Sequence, residues 1–282
     1  ARRARDLRWD PSQSLSRPLS RTMEGRPAVL SWSGGKDAAL CLHRALAAGT
    51  HGVAGLLTTA SERYGRSSQH GVRMELLQRQ AQRVGLPLQT AWLPPEPSMD
   101  AYDRCMKDAL TSVANQGVDT VLFGDIFLED LRSLRERRLA EVGMTGAYPL
   151  WQRSTEELAR AFLAAGFRAV VVCASEKHLG REFVGHPFDQ VFLEALPDEV
   201  DPCGEHGEFH TFVYDGPIFS EPIAVERGDV VYRTYDAQGQ QDENSPCPTT
   251  AEDAEESGFW YCDLLPEGSR NEEPPLPAKS PD

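Results

Sequence analysis

Residues 31 to 39 read Ser-Trp-Ser-Gly-Gly-Lys-Asp-Ala-Ala, directly after the apolar run Ala28-Val29-Leu30. A strand that runs into Ser33-Gly34-Gly35 and then into a helix near Asp37 is an anion-binding arrangement. Glycines let the backbone come close, and the unsatisfied N–H groups of a helix start carry partial positive charge. Lys36 adds a mobile point charge and Ser33 a hydroxyl. The spacing is neither the G-x-x-x-x-G-K-[ST] phosphate loop nor the G-x-G-x-x-G dinucleotide fingerprint. Taken alone, an ordinary glycine-containing βα turn with a surface lysine fits it equally well, so the surroundings have to decide.

Outward from this turn, short apolar runs alternate with amphipathic stretches. The runs predict strands over 28–32, 52–58, 87–93, 119–123, 145–149 and 168–174, and helices over 37–48, 70–84, 98–116, 129–142 and 154–165. Leu40, His43, Arg44 and Ala47 share one face of the first helix; Tyr102, Met106, Ala109, Leu110 and Val113 form the apolar stripe of the third. Ser98 and Ser154 stand at cap positions, the second with Glu157 three residues on. Such alternation predicts an α/β fold with a doubly wound parallel sheet. Beyond about residue 200 the pattern changes to strands over 207–215, 222–234 and 258–264 without a long helix, which predicts a smaller α+β part at the C-terminal end. The expected division is an Arg- and Ser-rich arm over 1–26 that is disordered or non-native, a nucleotide-binding part over 27–150, a substrate-binding part over 151–265 with an acidic loop at 238–257, and a frayed tail over 266–282.

The 282 residues carry a formal net charge of -14, and the arm holds a local +4, leaving -18 for the rest. An acidic body repels a phosphate backbone, which argues against nucleic acid as partner. No run approaches the roughly 20 apolar residues of a membrane span. The six cysteines are scattered without a C-x-x-C pair, which reads as reduced thiols of a cytoplasmic protein.

In an open parallel sheet ligands sit beyond the carboxyl ends of the strands where strand order reverses. If the 28–32 and 119–123 strands are neighbours, Gly124-Asp125-Ile126 joins the glycine turn, placing Asp125 to hold Mg²⁺ or a substrate amine and Arg132 to meet a phosphoryl oxygen. Asp125 is otherwise a turn carboxylate. Thr58 and Thr59 follow the second strand, near where an adenosine would lie, and Arg73 is either a phosphate clamp or a solvated helix-start arginine. A second stretch, Asp201-Pro202-Cys203-Gly204-Glu205-His206-Gly207-Glu208-Phe209-His210-Thr211-Phe212, puts His206, Glu208 and His210 on one face of a strand. That row suits a metal or proton transfer. The period by itself favours the plainer reading, an amphipathic strand with Phe209, Thr211 and Val213 inward and the polar row in water.

The Ser-Gly-Gly-Lys-Asp turn resembles the pyrophosphate loop of N-type ATP pyrophosphatases, usually Ser-Gly-Gly-x-Asp-Ser, with Ala38 in place of the last serine. Together with Tyr148-Pro149-Leu150-Trp151, the Gly-Asp-Ile segment and Gly-Glu-x-Gly-Glu-Phe-His-Thr-Phe-Val-x-Asp-Gly-Pro, residues 27 to 220 resemble the diphthine–ammonia ligase family, and Gly124–Asp130 with His70–Arg73 resemble its bacterial branch. The resemblance implies an adenine nucleotide α-hydrolase (HUP-like) domain. It also implies a reaction in which ATP with Mg²⁺ adenylates a carboxylate, and ammonia displaces AMP to leave an amide. Ser33, Gly34, Gly35, Lys36 and Asp37 match the loop that holds the triphosphate, and Glu205, Glu208 and His210 match the second motif, near the acceptor; beside this we expect Asp37 and Asp125 to hold Mg²⁺ and Lys36, Asp125, Glu205, Glu208 and His210 to carry the chemistry. The acceptor stays open, as does a homodimer. Ala38 keeps a nucleotide sensor without ligase turnover in view, and an RNA-modifying relative is a third reading that the acidic body disfavours.

Overall fold

The computed structural model describes residues 25–68, 70–95, 98–235 and 257–268. Its first layer is a mostly parallel sheet. Strands β1 (Arg26–Ser31), β2 (His51–Ser61), β4 (Leu88–Leu93), β5 (Thr120–Leu122) and β6 (Thr145–Ala147) run in the order β4-β2-β1-β5-β6, all parallel. The two-residue β3 (Arg66–Ser67) is antiparallel to the end of β2. Because β4 takes the other edge of β2 over the same residues, β3 lies on the β1 side, beyond the point where β1 stops pairing. Helices α1 (Lys36–Ala48), α2 (Met74–Val84), α3 (Met99–Ala114), α4 (Glu129–Ala140) and α5 (Thr155–Ala164) fall where the amphipathic stretches predict them. Ser98 Oγ accepts from Ala101 N–H and Ser154 Oγ from Glu157 N–H, so both expected caps form. The doubly wound expectation holds, and β1 and β5 are the neighbours between which the strand order reverses.

The predicted strand at 168–174 goes elsewhere. As β7 (Arg168–Ser175) it is the hub of a second, antiparallel sheet with β8 (Pro187–Phe188), β9 (Phe209–Asp215), β10 (Val225–Tyr235) and β11 (Ser257–Pro266). Seven of its eight residues are buried, so it reads as a continuous apolar run, and such a run does not reveal which sheet it joins. The short helix α6 (Gln190–Ala195), capped by Asp189 accepting from Phe192 N–H, was not expected. On α1 the buried face is Ala38, Ala39, Leu40, Cys41, Leu42 and Ala45, whereas Ala47 is exposed. The α3 stripe buries Tyr102, Ala109, Leu110 and Val113, with Met106 packed at its edge. The expected arm, acidic loop and tail lie almost wholly outside the described residues.

The two sheets share one core. A single cluster runs from Leu30, Leu42 and Leu77 through Phe162 and Phe188 to Phe209, Phe212 and Leu264. Gln80, fully buried on α2, joins the parts by hydrogen bonds: Nε2 donates to Gly34 O (2.9 Å) and Val213 O (2.7 Å), and Oε1 accepts from Trp32 Nε1 (2.9 Å).

Candidate active site

The glycine turn is closed from the far end of the chain. Val213 N–H on β9 donates to Gly34 O (2.9 Å), and Lys36 N–H, the first amide of α1, donates to Thr211 Oγ1 (3.0 Å). Gly34 has φ +80°, and a Cβ there would lie 2.4 Å from Leu77 Cδ2, so only glycine fits. A Cβ on Gly124 would come within 2.9 Å of the Asp37 backbone; this close approach sets the end of β5 against the start of α1.

Beyond this turn lie two adjoining clefts of about 870 and 750 Å³, both walled by Ser33, His70, Phe123 and Arg135. One cleft is mainly apolar, with Trp32, Leu57, Thr58, Tyr102, Met106 and Leu110; Thr58 sits where the sequence placed it. The other is polar and gathers Lys36, Asp37, Ala38, Asp125, Cys203, Glu205 and His210. Lys36, Asp37, Asp125, Glu205 and His210 thus meet around one cleft although 174 positions separate the first and last.

Lys36 is not mobile. Its side chain is 4% exposed, and Nζ donates to Asp37 Oδ2 (2.8 Å), Asp37 Oδ1 (3.0 Å) and the Cys203 carbonyl, near the Phe188 and Phe209 rings. Burial works to depress its ammonium, yet the Asp37 carboxylate holds it above its ordinary value, so the lysine is a fixed positive charge. Asp125 Oδ2 is 2.9 Å from Arg135 Nε without hydrogen-bond alignment, and both atoms are buried with acceptor and donor capacity unspent. Glu205 Oε1 accepts from Ile126 N–H (2.7 Å); burial, then the nearby Asp37 charge, pushes its carboxyl up to about 8. His210 stacks on His70 at 4.4 Å and 14°. His70 Nδ1 lies 3.2 Å from Thr211 O, which only accepts, so Nδ1 carries the hydrogen. Burial pushes His70 down to about 4 and His210 well below its usual value, keeping both rings neutral.

Three residues expected here have other tasks. Arg73 makes a bidentate pair with Asp263 (3.1 and 2.8 Å) and walls neither cleft. Arg132 pairs with Glu136 and lies 4.6 Å from the centres of both the Tyr148 and Trp151 rings; Arg135, one turn on, enters the cleft instead. Glu208, 1% exposed, accepts from Asp201 N–H (3.1 Å) and His206 N–H (2.9 Å), so it braces the turn before β9, and the expected row of His206, Glu208 and His210 on one strand face does not form. Arg135 and Gln80 carried no sequence signal of their own, and His70 only as part of the His70–Arg73 resemblance; His70 and Gln80 act through contacts across the sheet boundary, Arg135 through Asp125 on the loop before its helix. Among the described residues no group of three or more His, Cys, Asp and Glu could hold a metal ion.

A glycine turn at the switch point of a parallel sheet, closed by a second antiparallel part, defines a doubly wound α/β domain with its ligand cleft at the strand-order reversal. The diphthamide synthase N-terminal domain matches residues 25–146 and the corresponding C-terminal domain residues 154–240. The chain belongs to the diphthamide synthase family. Curated relatives named diphthine–ammonia ligase include the mouse protein, 29% identical over 127 residues (43% of this chain, 47% of the relative). The human protein is 34% identical over 98 residues (31% and 35%), and that of Schizosaccharomyces pombe 28% over 136 residues (47% and 22%). The matches thus span less than half the length of these relatives. A solved structure, the U34-tRNA thiolase NcsA from Methanococcus maripaludis with its [4Fe-4S] cluster, aligns with 54% of this chain and 61% of its own at 13% identity and a TM-score of 0.32. Among the described residues no helix is long and apolar enough to cross a membrane.

Proposed function

We propose that the protein is a cytoplasmic ATP-dependent ligase that joins ammonia to a carboxylate substrate through an acyl-adenylate, releasing AMP and pyrophosphate. The observation that carries this reading is the convergence of the glycine turn and the Cys203–Glu205 turn on one polar cleft beside an apolar one, tied together at Lys36. Residues 27–150 supply the nucleotide-binding part and 151–265 the substrate-binding part. The nucleoside lies in the apolar cleft by Trp32, Thr58 and Tyr102, and the phosphates on Ser33–Asp37.

The substrate carboxylate oxygen attacks the α-phosphorus, and the bond to the β-phosphate bridging oxygen breaks with its electron pair leaving on pyrophosphate. Lys36 and the helix start meet the growing negative charge without reorganising, since the lysine is already fixed. Ammonia then attacks the acyl carbon, the C–N bond forms, and the acyl C–O bond breaks to release AMP. Glu205, with its carboxyl near neutrality, exchanges the proton that the attacking nitrogen sheds, and His210 lines the same wall. Magnesium, when bound, would supply charge neutralisation of the phosphates. Asp37, 31% exposed though paired with Lys36, is the carboxylate that would reach such a cation, with most of the shell left to phosphate and water, whereas Asp125 is held by Arg135 and would bind only on releasing it.

AMP and pyrophosphate should appear in equal amounts from ATP, Mg²⁺ and ammonium with a pool of cellular extract as acceptor, and Lys36→Ala, folded by circular dichroism, should lose both. Turnover retained in that variant would sink the assignment. A second reading, a nucleotide sensor, draws on Ala38, buried against the polar cleft where the related loops carry a serine hydroxyl. Tight ATP binding without pyrophosphate release, with turnover gained in Ala38→Ser, would favour it.

A further inference from the structure

Asp263 on β11 lies beyond residue 240, where the match to the C-terminal family domain ends, and it walls neither cleft. Yet it is the centre of a half-buried charge cluster with two arginines of the loop between β2 and α2. Arg66 Nη1 is 2.8 Å from Oδ1, and Arg73 reaches Oδ1 by Nε and Oδ2 by Nη2. The three side chains are only 12–19% exposed. Burial works against the charge of Asp263, but hydrogen bonds and charges from Arg73 and Arg66 hold its carboxyl below the usual range. The loop is also closed on itself: Arg66 Nη1 donates to Gly71 O (2.8 Å) and Ser67 N–H to Val72 O (2.8 Å). Gly71, at φ +64°, packs on the Tyr261 ring, two residues before Asp263.

Between the two arginines sits His70. Its ring is stacked on His210 and bonded to Thr211 O, and its Cε1 is 2.8 Å from where a Cβ on Gly35 would stand. The imidazole therefore forms the back wall of the phosphate turn, and the loop that carries it, closed on itself by hydrogen bonds, is tied to β11 through the Asp263 carboxylate.

We propose that Asp263 is a positioning residue for the nucleotide site: through Arg66 and Arg73 it presses His70 against the Gly34–Gly35 turn and onto His210. Its consequence for catalysis rests on the ligase reading above; its consequence for His70 does not. The groups facing the His70 ring are His210 and Thr211 from β9 and, by charge, Lys36 from α1, and none of them belongs to the clamp.

The test is imidazole NMR of the full chain across pH, with His70 assigned through His70→Gln, in wild type, Asp263→Asn and Arg73→Lys, alongside ATP-dependent turnover. Asp263→Asn removes the charge, and Arg73→Lys keeps charge but loses the two-point grip. In both, the His70 signals should shift and titrate nearer the ordinary histidine value, and kcat should fall on the order of 100-fold, as expected of a misplaced site wall. Unmoved His70 titration in the variants that fold, even with a lower melting temperature, would overturn the proposal, because a merely structural pair lowers stability without releasing the ring. Absence of turnover in the wild type would instead count against the ligase reading and leave the His70 comparison decisive.

Discussion

The turn at residues 33–37 and the turn at residues 201–208 face each other across the same cleft and are built by opposite means. The first is backbone: glycines with special conformation or no room for a Cβ, amides at a helix start, and carbonyls taken by β9 and Gln80. The second is side-chain carboxylates folded back on their own main chain. Asp201 Oδ1 accepts from Cys203 and Glu205 N–H and Glu208 from Asp201 and His206 N–H, whereas Glu205 reaches out of the turn to Ile126 N–H beyond β5. A motif made of backbone needs particular residues at particular spacings and shows itself in the sequence. In a motif made of self-satisfying carboxylates, scaffold and reagent look alike, and only position separates Glu208 from Glu205.

Substitutions can break that contrast. Gly34→Ala should do most damage, since a left-handed φ and a Cβ inside Leu77 add to a loss on the order of 3–5 kcal/mol, read by denaturant melting, with ATP binding gone. Glu208→Gln should cost about 1–2 kcal/mol, because the part-buried amides of Asp201 and His206 lose a carboxylate acceptor; a melting curve matching wild type would restore Glu208 to the chemistry.

Glu205→Gln should change a slope. The folded carboxyl keeps its proton up to about pH 8 while the unfolded chain releases it near 4.5, so the folded state binds more protons in that window. Wild-type stability attributable to this group therefore falls as pH rises through the window and is flat above it. The variant should lose less stability between about pH 5 and about pH 8 than wild type. His70, with its lowered value, acts in the opposite sense, costing stability as pH falls from 6.5 towards 4, so the difference between the two proteins is the quantity to read. Smallest of all, Arg132→Ala should cost about 1 kcal/mol of stacking on Tyr148 and Trp151 and leave turnover unchanged; a large kcat loss would return it to the phosphates.

The sequence made the parallel sheet legible because its strands and helices alternate with different hydrophobic periods, and the capping serines mark two helix starts. It made Asp125 legible at the cleft because that residue follows the end of β5, and Glu205 because it belongs to the turn facing that end; Thr58, inside β2, and His210, on β9, reach the clefts from within their strands. It did not assign β7 to the antiparallel sheet, since a run buried on both faces carries no directional information. Arginines 73, 132 and 135 are chemically identical in the sequence; which of them finds Asp263, an aromatic pair or the cleft is decided by contacts with distant residues.

The seams between Gly34, Lys36 and β9 have a consequence for assembly. The hydroxyl that receives the first helix amide lies 175 positions later in the chain, and the carbonyl of Val213 that holds Gln80 lies 133 positions beyond it. During synthesis the glycine turn leaves the ribosome early and waits, unlatched, until the second sheet has formed. Closure over such separations is slow and leaves apolar surface uncovered in the meantime. A chain cut before residue 209 keeps every strand of the parallel sheet yet lacks the donor and acceptor that close its glycine turn, so on the proposed ligase reading competence to bind nucleotide would be acquired at the end of folding.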